Sequence, residues 1–553
     1  VTAVRRGFRI GTLGHVLSAW AVATAIACAI VHRTFSLDID EAHPRAVIAS
    51  VWQNGQLLAR ARGPDASLGA ALDAHPGATL VEESVVAEGP VVTCSEAALA
   101  LSFVPGHDGI EATLAGRTVY LTPDDLLARQ AYDRGVSIAA LQLTAGVDVP
   151  LALALLSEQL GTSARDLLER GTLRRIRVVR RVPVANAVKP DALTPGDARS
   201  FALAAGGYLA RGVDGDGRFR YLVDAPTNRT LPGYDWPRHA GATYFLAQVA
   251  ALSGDPQIAW AALRAAGWLR DHAIESCGDH RCVGGGPVAD LGSTALTVLA
   301  LVEIARTRLD PGYALVVPEL TAFLRSQQRA DGEFMHLYDR GKRSPIDTQL
   351  LYYSGEAAFA LSRAHGLLHD DRDLEASTRA LAHLVGRAWS FFGSRYYWGE
   401  EHWTCQAMDD LWDRAPSPAA LTFCLDWQAY NRRLQYGPAE TPFDADGAYG
   451  FGPLLTPRLT PVGSRSESGI ATLEAARRAG VPPADLETLV GQIRRSLALL
   501  VRHQLRGDQC YLCADPAAVD GAMPGSEVDW QLRIDYAQHA GSAMIRWLEL
   551  VHN

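Results

Sequence analysis

Six polar clusters recur from about residue 196 onward, each at the head of an apolar run. They are Arg238-His239-Ala240-Gly241, Asp290-Leu291-Gly292-Ser293, Tyr353-Ser354-Gly355-Glu356, Glu400-Glu401-His402-Trp403, Arg465-Ser466-Glu467-Ser468-Gly469 and Asp535-Tyr536-Ala537-Gln538-His539. Their carboxylates and imidazoles are the groups that acid–base chemistry on a glycan requires: one acid held protonated, one ionised, and histidines to carry protons. Glu356, Glu467, Glu401 and Asp535 are the candidate catalytic acids, with His239, His402 and His539 assisting proton transfer. An acid in the first turn of a helix also serves as an ordinary cap, so each carboxylate has a structural reading too. Arginine and histidine do not fit that reading, because the positive end of a helix disfavours cations. Arg238, Arg465 and Arg533 therefore point to an anionic ligand or to pairing with the acids beside them, and both explanations stay open. Trp236, Tyr352, Tyr353, Trp398, Trp403 and Tyr536 supply aromatic faces and polar tips suited to stacking on sugar rings; packing at helix ends is their structural reading.

Successive clusters lie roughly 50–70 residues apart, the length of one helical hairpin. Apolar periodicity predicts helices near 197–211, 239–253, 257–274, 292–308, 314–329, 351–367, 373–391, 400–414, 417–434, 465–480, 485–505 and 535–551. Six hairpins close naturally as an inner ring inside an outer one. Parallel inner helices would then bring their N-termini to one mouth, with Gly241, Gly292, Gly355 and Gly469 letting them crowd together.

A second repeat sits in the links between outer and inner helices. Asp216-Gly217-Arg218-Phe219 and Asp331-Gly332-Glu333-Phe334 share the pattern Asp-Gly-x-Phe, and Asp446-Gly447-Ala448-Tyr449 is a looser copy. The run Gln327-Gln328-Arg329-Ala330-Asp331-Gly332-Glu333-Phe334 resembles the Gln-x-x-Asp-Gly-x-aromatic turn of the terpenoid-cyclase and prenyltransferase toroids. That resemblance implies an (α/α)6 toroid over 196–553, a superfamily that also includes six-hairpin glycosidase-like enzymes. It speaks to fold more than to activity, since such barrels host hydrolases, lyases, epimerases, cyclases and binding proteins.

Upstream the chain changes character. Arg5, Arg6 and Arg9 precede Gly11–Val31, which contains no Asp, Glu, Lys or Arg and is long enough to span a bilayer. Residues 1–33 thus read as a cytoplasmic stub and transmembrane anchor, with the bulk of the chain exported. A cleaved signal peptide is the other reading. Residues 43–185 read as a small mixed α/β domain, with strands at Ala46–Trp52 and Gln56–Ala61 flanking an Asn54-Gly55 turn, and more strand-like alternation at Ala98–Val104 and Gly109–Leu121. Pro183–Pro195 reads as a linker. The chain holds 8 cysteines, free to pair after export, and Cys277–Cys282 and Cys510–Cys513 are the expected local disulfides, with Cys405 a buried thiol.

A net charge of −9 with no basic block argues against a nucleic-acid partner. No phosphate-binding Gly loop, dinucleotide fingerprint or zinc-protease motif is present, so neither cofactor nor metal is expected. The sequence therefore leads to a mainly α protein comprising a transmembrane helix, a small α/β domain and a C-terminal (α/α)6 toroid. It is expected to be a membrane-anchored, exported hydrolase, lyase or epimerase acting on an anionic glycan or cell-envelope polymer. A noncatalytic envelope-binding toroid and an isoprenoid cyclase or transferase are the alternatives.

Overall fold

The computed structural model describes residues 37–552, apart from residues 64 and 508 and the stretches 93–94, 139–142, 182–187, 388–400, 439–443 and 451–454. Among the described residues no helix is long and apolar enough to cross a membrane. The expected anchor Gly11–Val31 lies outside them.

The first unit is an antiparallel sheet built on β1 (Ala46–Gln53), β2 (Gln56–Arg62), β3 (Thr79–Pro90), β4 (Asp108–Leu114) and β5 (Arg117–Leu121), with β6 (Tyr132–Ile138) and β7 (Leu143–Val147) forming a separate hairpin and β8 (Thr172–Arg181) returning to the sheet. Its strand order is β2-β1-β3-β8-β4-β5. The β1–β2 turn places Asn54 and Gly55 at φ 50° and 76°, the left-handed pair that a two-residue hairpin needs. One expected strand is a helix instead. Glu96–Leu101 is helical because the Ser95 side chain accepts the Ala98 N–H, and the Ala/Leu run that follows favours helix.

Among the described residues the second unit contains twelve long helices: α1 (Pro195–Arg211), α2 (Trp236–Ser253), α3 (Pro256–His272), α4 (Leu291–Arg306), α5 (Val317–Ser326), α6 (Tyr353–Leu368), α7 (Asp371–Arg387), α8 (Glu401–Leu411), α9 (Pro418–Arg432), α10 (Thr460–Arg478), α11 (Pro483–His503) and α12 (Ile534–His552). The even-numbered helices form the inner ring: α2 packs on α4, α4 on α6, α6 on α8, α8 on α10, α10 on α12, and α12 closes on α2. Helix α4 is buried from Leu291 to Ala305, which is why its sequence has no polar face. Close packing of the inner ring depends on missing side chains. A Cβ on Gly541 would lie 2.1 Å from the Phe245 ring, so only glycine lets α12 approach α2 there.

The Asp-Gly-x-aromatic turns are structurally equivalent in all three copies. Short bridges join Val213 to Phe219, Gln328 to Phe334 and Gln435 to Tyr449. Gly217, Gly332 and Gly447 have φ of 101°, 92° and 106°. A Cβ there would meet the carbonyl oxygen of Arg264, Arg379 or Arg495, on α3, α7 and α11, at 2.1, 2.5 and 2.2 Å. Backbone conformation and close approach both demand glycine at this turn.

Among the described residues three disulfides fasten the ring. Cys277–Cys282 and Cys510–Cys513 form as expected. Cys405, expected to be a buried thiol, pairs with Cys424 and ties α8 to α9. The segment between α11 and α12 carries the sheet unit: Tyr511 donates its hydroxyl to Asp124 at 2.8 Å, Gly55 N–H donates to the Tyr511 carbonyl, and Leu512 and Val528 are buried in the sheet unit's core.

Candidate active site

The inner-helix N-termini converge on a cavity of about 660 Å³ at one mouth of the ring. Two acids begin their helices as caps. Asp235 accepts the Arg238 N–H at 3.0 Å, and Asp290 accepts the Ser293 N–H at 2.6 Å and its hydroxyl at 2.8 Å. Helix α6 begins differently, from Tyr352 at φ 77°, and one turn later presents Glu356 to the cavity. Gly292 on α4 makes room for it; a Cβ there would lie 2.5 Å from both Glu356 Oε2 and the Tyr353 ring.

At the α8–α10–α12 side, Glu467 Oε2 accepts from His402 Nε2 at 2.7 Å and from His539 Nδ1 at 2.9 Å. The two imidazole centroids are 5.0 Å apart, and Trp403 lies against His402 at 4.2 Å. Burial alone would push the Glu467 carboxyl up, but the two imidazoles overcome it and bring it down to about 2. Burial lowers His402 to about 4 despite the carboxylate beside it, so the ring is neutral at physiological pH. An ionised carboxylate carries no proton, so both rings must donate to it, which leaves Nδ1 of the neutral His402 as a basic nitrogen and turns Nε2 of His539 away from the carboxylate.

The opposite wall holds a proton on Glu356. Burial, then the neighbouring Asp290, push Glu356 up to about 8, with Arg238 only partly opposing them. Its Oε2 has no hydrogen-bond partner among the described residues. Burial raises Asp290 as well. Environments within one cavity therefore set its carboxyl groups apart: Glu356 is held protonated on the α4–α6 side, while Glu467 and Asp535 are ionised on the α10–α12 side.

The cavity brings together Glu356, Asp535, His402, His539, Arg238, Arg465, Arg533, Trp236, Tyr352, Tyr353 and Trp403, with Glu467 immediately behind the histidines. Other expected residues are placed elsewhere. His239 is fully buried on the outer-ring side, where its Nδ1 meets the Tyr234 hydroxyl at 2.6 Å and its Nε2 the Ala265 carbonyl at 2.9 Å. Glu401 is also fully buried away from the cavity, accepting from Asn431 at 3.0 Å and lying 3.6 Å from Arg465. Tyr536 sits under the Arg533 guanidinium, 4.7 Å from it, and does not line the cavity. All three have one cause. Successive residues on a helix point about 100° apart, so with Arg238, His402 and Asp535 facing the cavity the next position round on one side (His239, Glu401 and Tyr536) is turned away from it. Trp398 lies outside the described residues.

The arginines are largely compensated. Asp535 is held below the usual carboxylate range because Arg533 and Arg238 outweigh the effect of burial; Arg533 binds it through two nitrogens at 2.6 and 2.9 Å, and Arg238 approaches to 3.3 Å. Arg238 also pairs with Asp235. Arg465 joins Glu401 and Asn431 and lies over Tyr449. Pairing with acids thus accounts for the arginines at these helix starts.

Asp290, Ser293, Gln538, Thr460 and Ser464 also line the cavity. The last two escaped sequence reading because α10 starts at Thr460 rather than near 465; the Thr460-Pro461 pair, with proline in the first turn, was the available signal. His402 Nε2 or Nδ1, Glu467 and His539 offer donor atoms within 4.8 Å of one another, the set among the described residues that would suit a metal ion. The close approach of both rings to Oε2 already satisfies those atoms as hydrogen bonds.

No family model matches the sequence, and no curated protein is significantly similar to it. Solved structures do match. Cellobiose 2-epimerase from Bacillus thermoamylovorans B4167 is 9% identical over 64% of this chain and 98% of its own, with a TM-score of 0.51. Cellobiose 2-epimerase from Spirochaeta thermophila DSM 6192 is 12% identical over 67% of this chain and 100% of its own, at TM-score 0.47. An unsaturated glucuronyl hydrolase specific for heparin gives 12% identity, 65% and 99% coverage, and TM-score 0.46. The C-terminal unit therefore has the (α/α)6 toroid fold, shared with the first of these structures. At these identities the likeness concerns the fold; activity rests on the residues of the cavity.

Proposed function

We propose that the protein is a carbohydrate-active enzyme that moves protons at a carbon next to a sugar carbonyl, as an epimerase or isomerase does. The carrying observation is the single carboxylate oxygen of Glu467, which orients both His402 and His539. Fixing one nitrogen of each ring as a donor leaves the other as a base, and two such bases suit removal and return of a proton. In this reading one imidazole takes the proton from the carbon. The carbonyl oxygen takes a proton from Glu356, and the enediol results. Return of a proton to the carbon by an imidazole, and of the hydroxyl proton to Glu356, completes the isomer. Trp403, Trp236 and Tyr353 offer faces for the sugar ring.

The paired state of Arg238 and Arg533 supports a neutral sugar in the cavity over the anionic glycan that the sequence suggested. A cavity lined by acids, arginines and histidines gives no support to an isoprenoid substrate. Glycoside hydrolysis is the second reading, favoured by the protonated Glu356 facing ionised carboxylates. Attachment to a membrane through Gly11–Val31, with export of the rest, completes the proposal; it is supported by that segment's basic flank and lack of charge.

The test is incubation with reducing mono- and disaccharides in D2O, followed by proton NMR. We expect deuterium to enter at the carbon beside the carbonyl, and the rate to fall by about 10²-fold or more in His402→Asn, His539→Asn and Glu467→Gln. No exchange with any sugar, or exchange unchanged in these variants, would sink the proposal. Release of new reducing ends that depends on Glu356 alone would establish hydrolysis instead.

A further inference from the structure

We propose that the outer surface of the ring carries a second glycan site, a groove between α1 and α3 that takes an acidic glycan chain. The proposal rests on the reading that the toroid acts on carbohydrate, and it concerns a surface separate from the catalytic cavity.

The groove encloses about 550 Å³ and is lined by Arg211 from the end of α1 and by Asp255, Gln257, Trp260 and Arg264 at the start of α3. The inward face of α3 is complete without Trp260: Ile258, Ala261, Ala262, Ala265, Ala266 and Leu269 are the residues it buries. Trp260 instead remains 66% exposed. Gln257, Trp260 and Arg264 are spaced i, i+3 and i+7, so they share the outward face. An indole that folding leaves in water, flanked by hydrogen-bonding side chains, offers a stacking face for a sugar ring rather than an apolar seat for a protein.

Charge defines the class of sugar. Arg264 is only half-exposed, its Nε is shut off from solvent, and it has no hydrogen bond or ion pair among the described residues. That contrasts with Arg238 and Arg533, whose charges Asp235 and Asp535 balance. Arg211 donates to the Asp520 carbonyl at 2.5 Å and likewise lacks a carboxylate partner among the described residues. The one acid in the groove, Asp255, caps α3 by accepting the Gln257 N–H at 2.8 Å. Two guanidiniums without a carboxylate partner among the described residues, beside an exposed indole, match a chain of uronic-acid sugars, whose carboxylates take the forked guanidinium while a ring face meets the indole. The preference for acidic sugar thus lies on the outside of the ring, while the catalytic cavity is neutralised from within.

The test is calorimetric titration of the full chain with a hexagalacturonate, using cellohexaose as the neutral control. Binding of the hexagalacturonate should be the same in the wild type and in His539→Asn, weaker at high salt, and about tenfold weaker in Trp260→Ala and in Arg264→Gln. Trp260 is at the surface, so its variant keeps the fold even if Arg264→Gln does not, and its deuterium exchange on small sugars should be unchanged. The proposal is overturned if the hexagalacturonate does not bind, if cellohexaose binds equally well, or if Trp260→Ala binds like wild type, as it would if the groove served a protein partner. Failure of the catalytic reading would appear separately, as absence of exchange in the wild type.

Discussion

Replacing Glu467 by Gln keeps the shape of the side chain and removes the charge that both imidazoles serve. In the native protein the carboxyl sits at about 2 instead of its ordinary 4.5, although burial opposes this. That gap corresponds to roughly 3 kcal/mol of native-state stabilisation at neutral pH. The sign follows from the direction: because the folded value is depressed, the contribution is complete above the ordinary value and disappears as pH falls through about 2. His402 adds acid sensitivity of its own, since burial holds it at about 4 and the unfolded chain takes up its proton first. Urea unfolding followed by tryptophan fluorescence should therefore find the variant less stable by roughly 3 kcal/mol near pH 7, with the difference shrinking steadily as the pH is taken down towards 2. Equal stability at neutral pH, or a loss that stays constant down to pH 2, would refute the argument, because it would mean that packing rather than charge is what the side chain supplies.

Three further outcomes are expected. Glu356→Gln should abolish turnover yet become the more stable form in alkali: the raised carboxyl favours the folded state only while neutral, and ionisation between the ordinary value and about 8 costs up to roughly 5 kcal/mol that glutamine avoids; identical pH–stability curves would contradict this. Gly292→Ala should cost about 1–3 kcal/mol and lower activity by displacing Glu356 and Tyr353, so an unchanged melting temperature would count against the packing described. The Cys405→Ala/Cys424→Ala double variant opens a loop of sequence separation 19 and should lose about 3 kcal/mol; a melt that reductant does not shift would show that the bridge contributes little.

The ring was largely legible because its signals are local and repeated. Alternating caps and apolar periods located all twelve helices, and Asp-Gly-x-Phe marked the turn whose glycine must touch the next outer helix. The α10 start was misread because Ser466 and Glu467 look like a helix opening, when they in fact sit two turns in. Residue type revealed the cavity's inventory but not its directions: nothing local tells that His402 faces inward and Glu401 outward, since one helical step decides it. Pairings across the ring, such as Glu467 with His539 or Cys405 with Cys424, depend on helices meeting in three dimensions and left no trace in spacing alone. Helix Glu96–Leu101 shows the opposite failure, a short apolar run whose cap outweighs its strand-like alternation.

Closure of the inner ring by α12 also sets when the site comes into being. Asp235 and Arg238 stand at the first inner helix and Asp535 and His539 at the sixth, so the cavity draws on both the first and the last helix of the inner ring. Until α12 leaves the ribosome and seats between α10 and α2, Glu467 has one imidazole instead of two and Arg238 lacks Asp535. A nascent chain would thus lack the assembled cavity through the making of five hairpins, and would gain it in the same event that closes the inner ring.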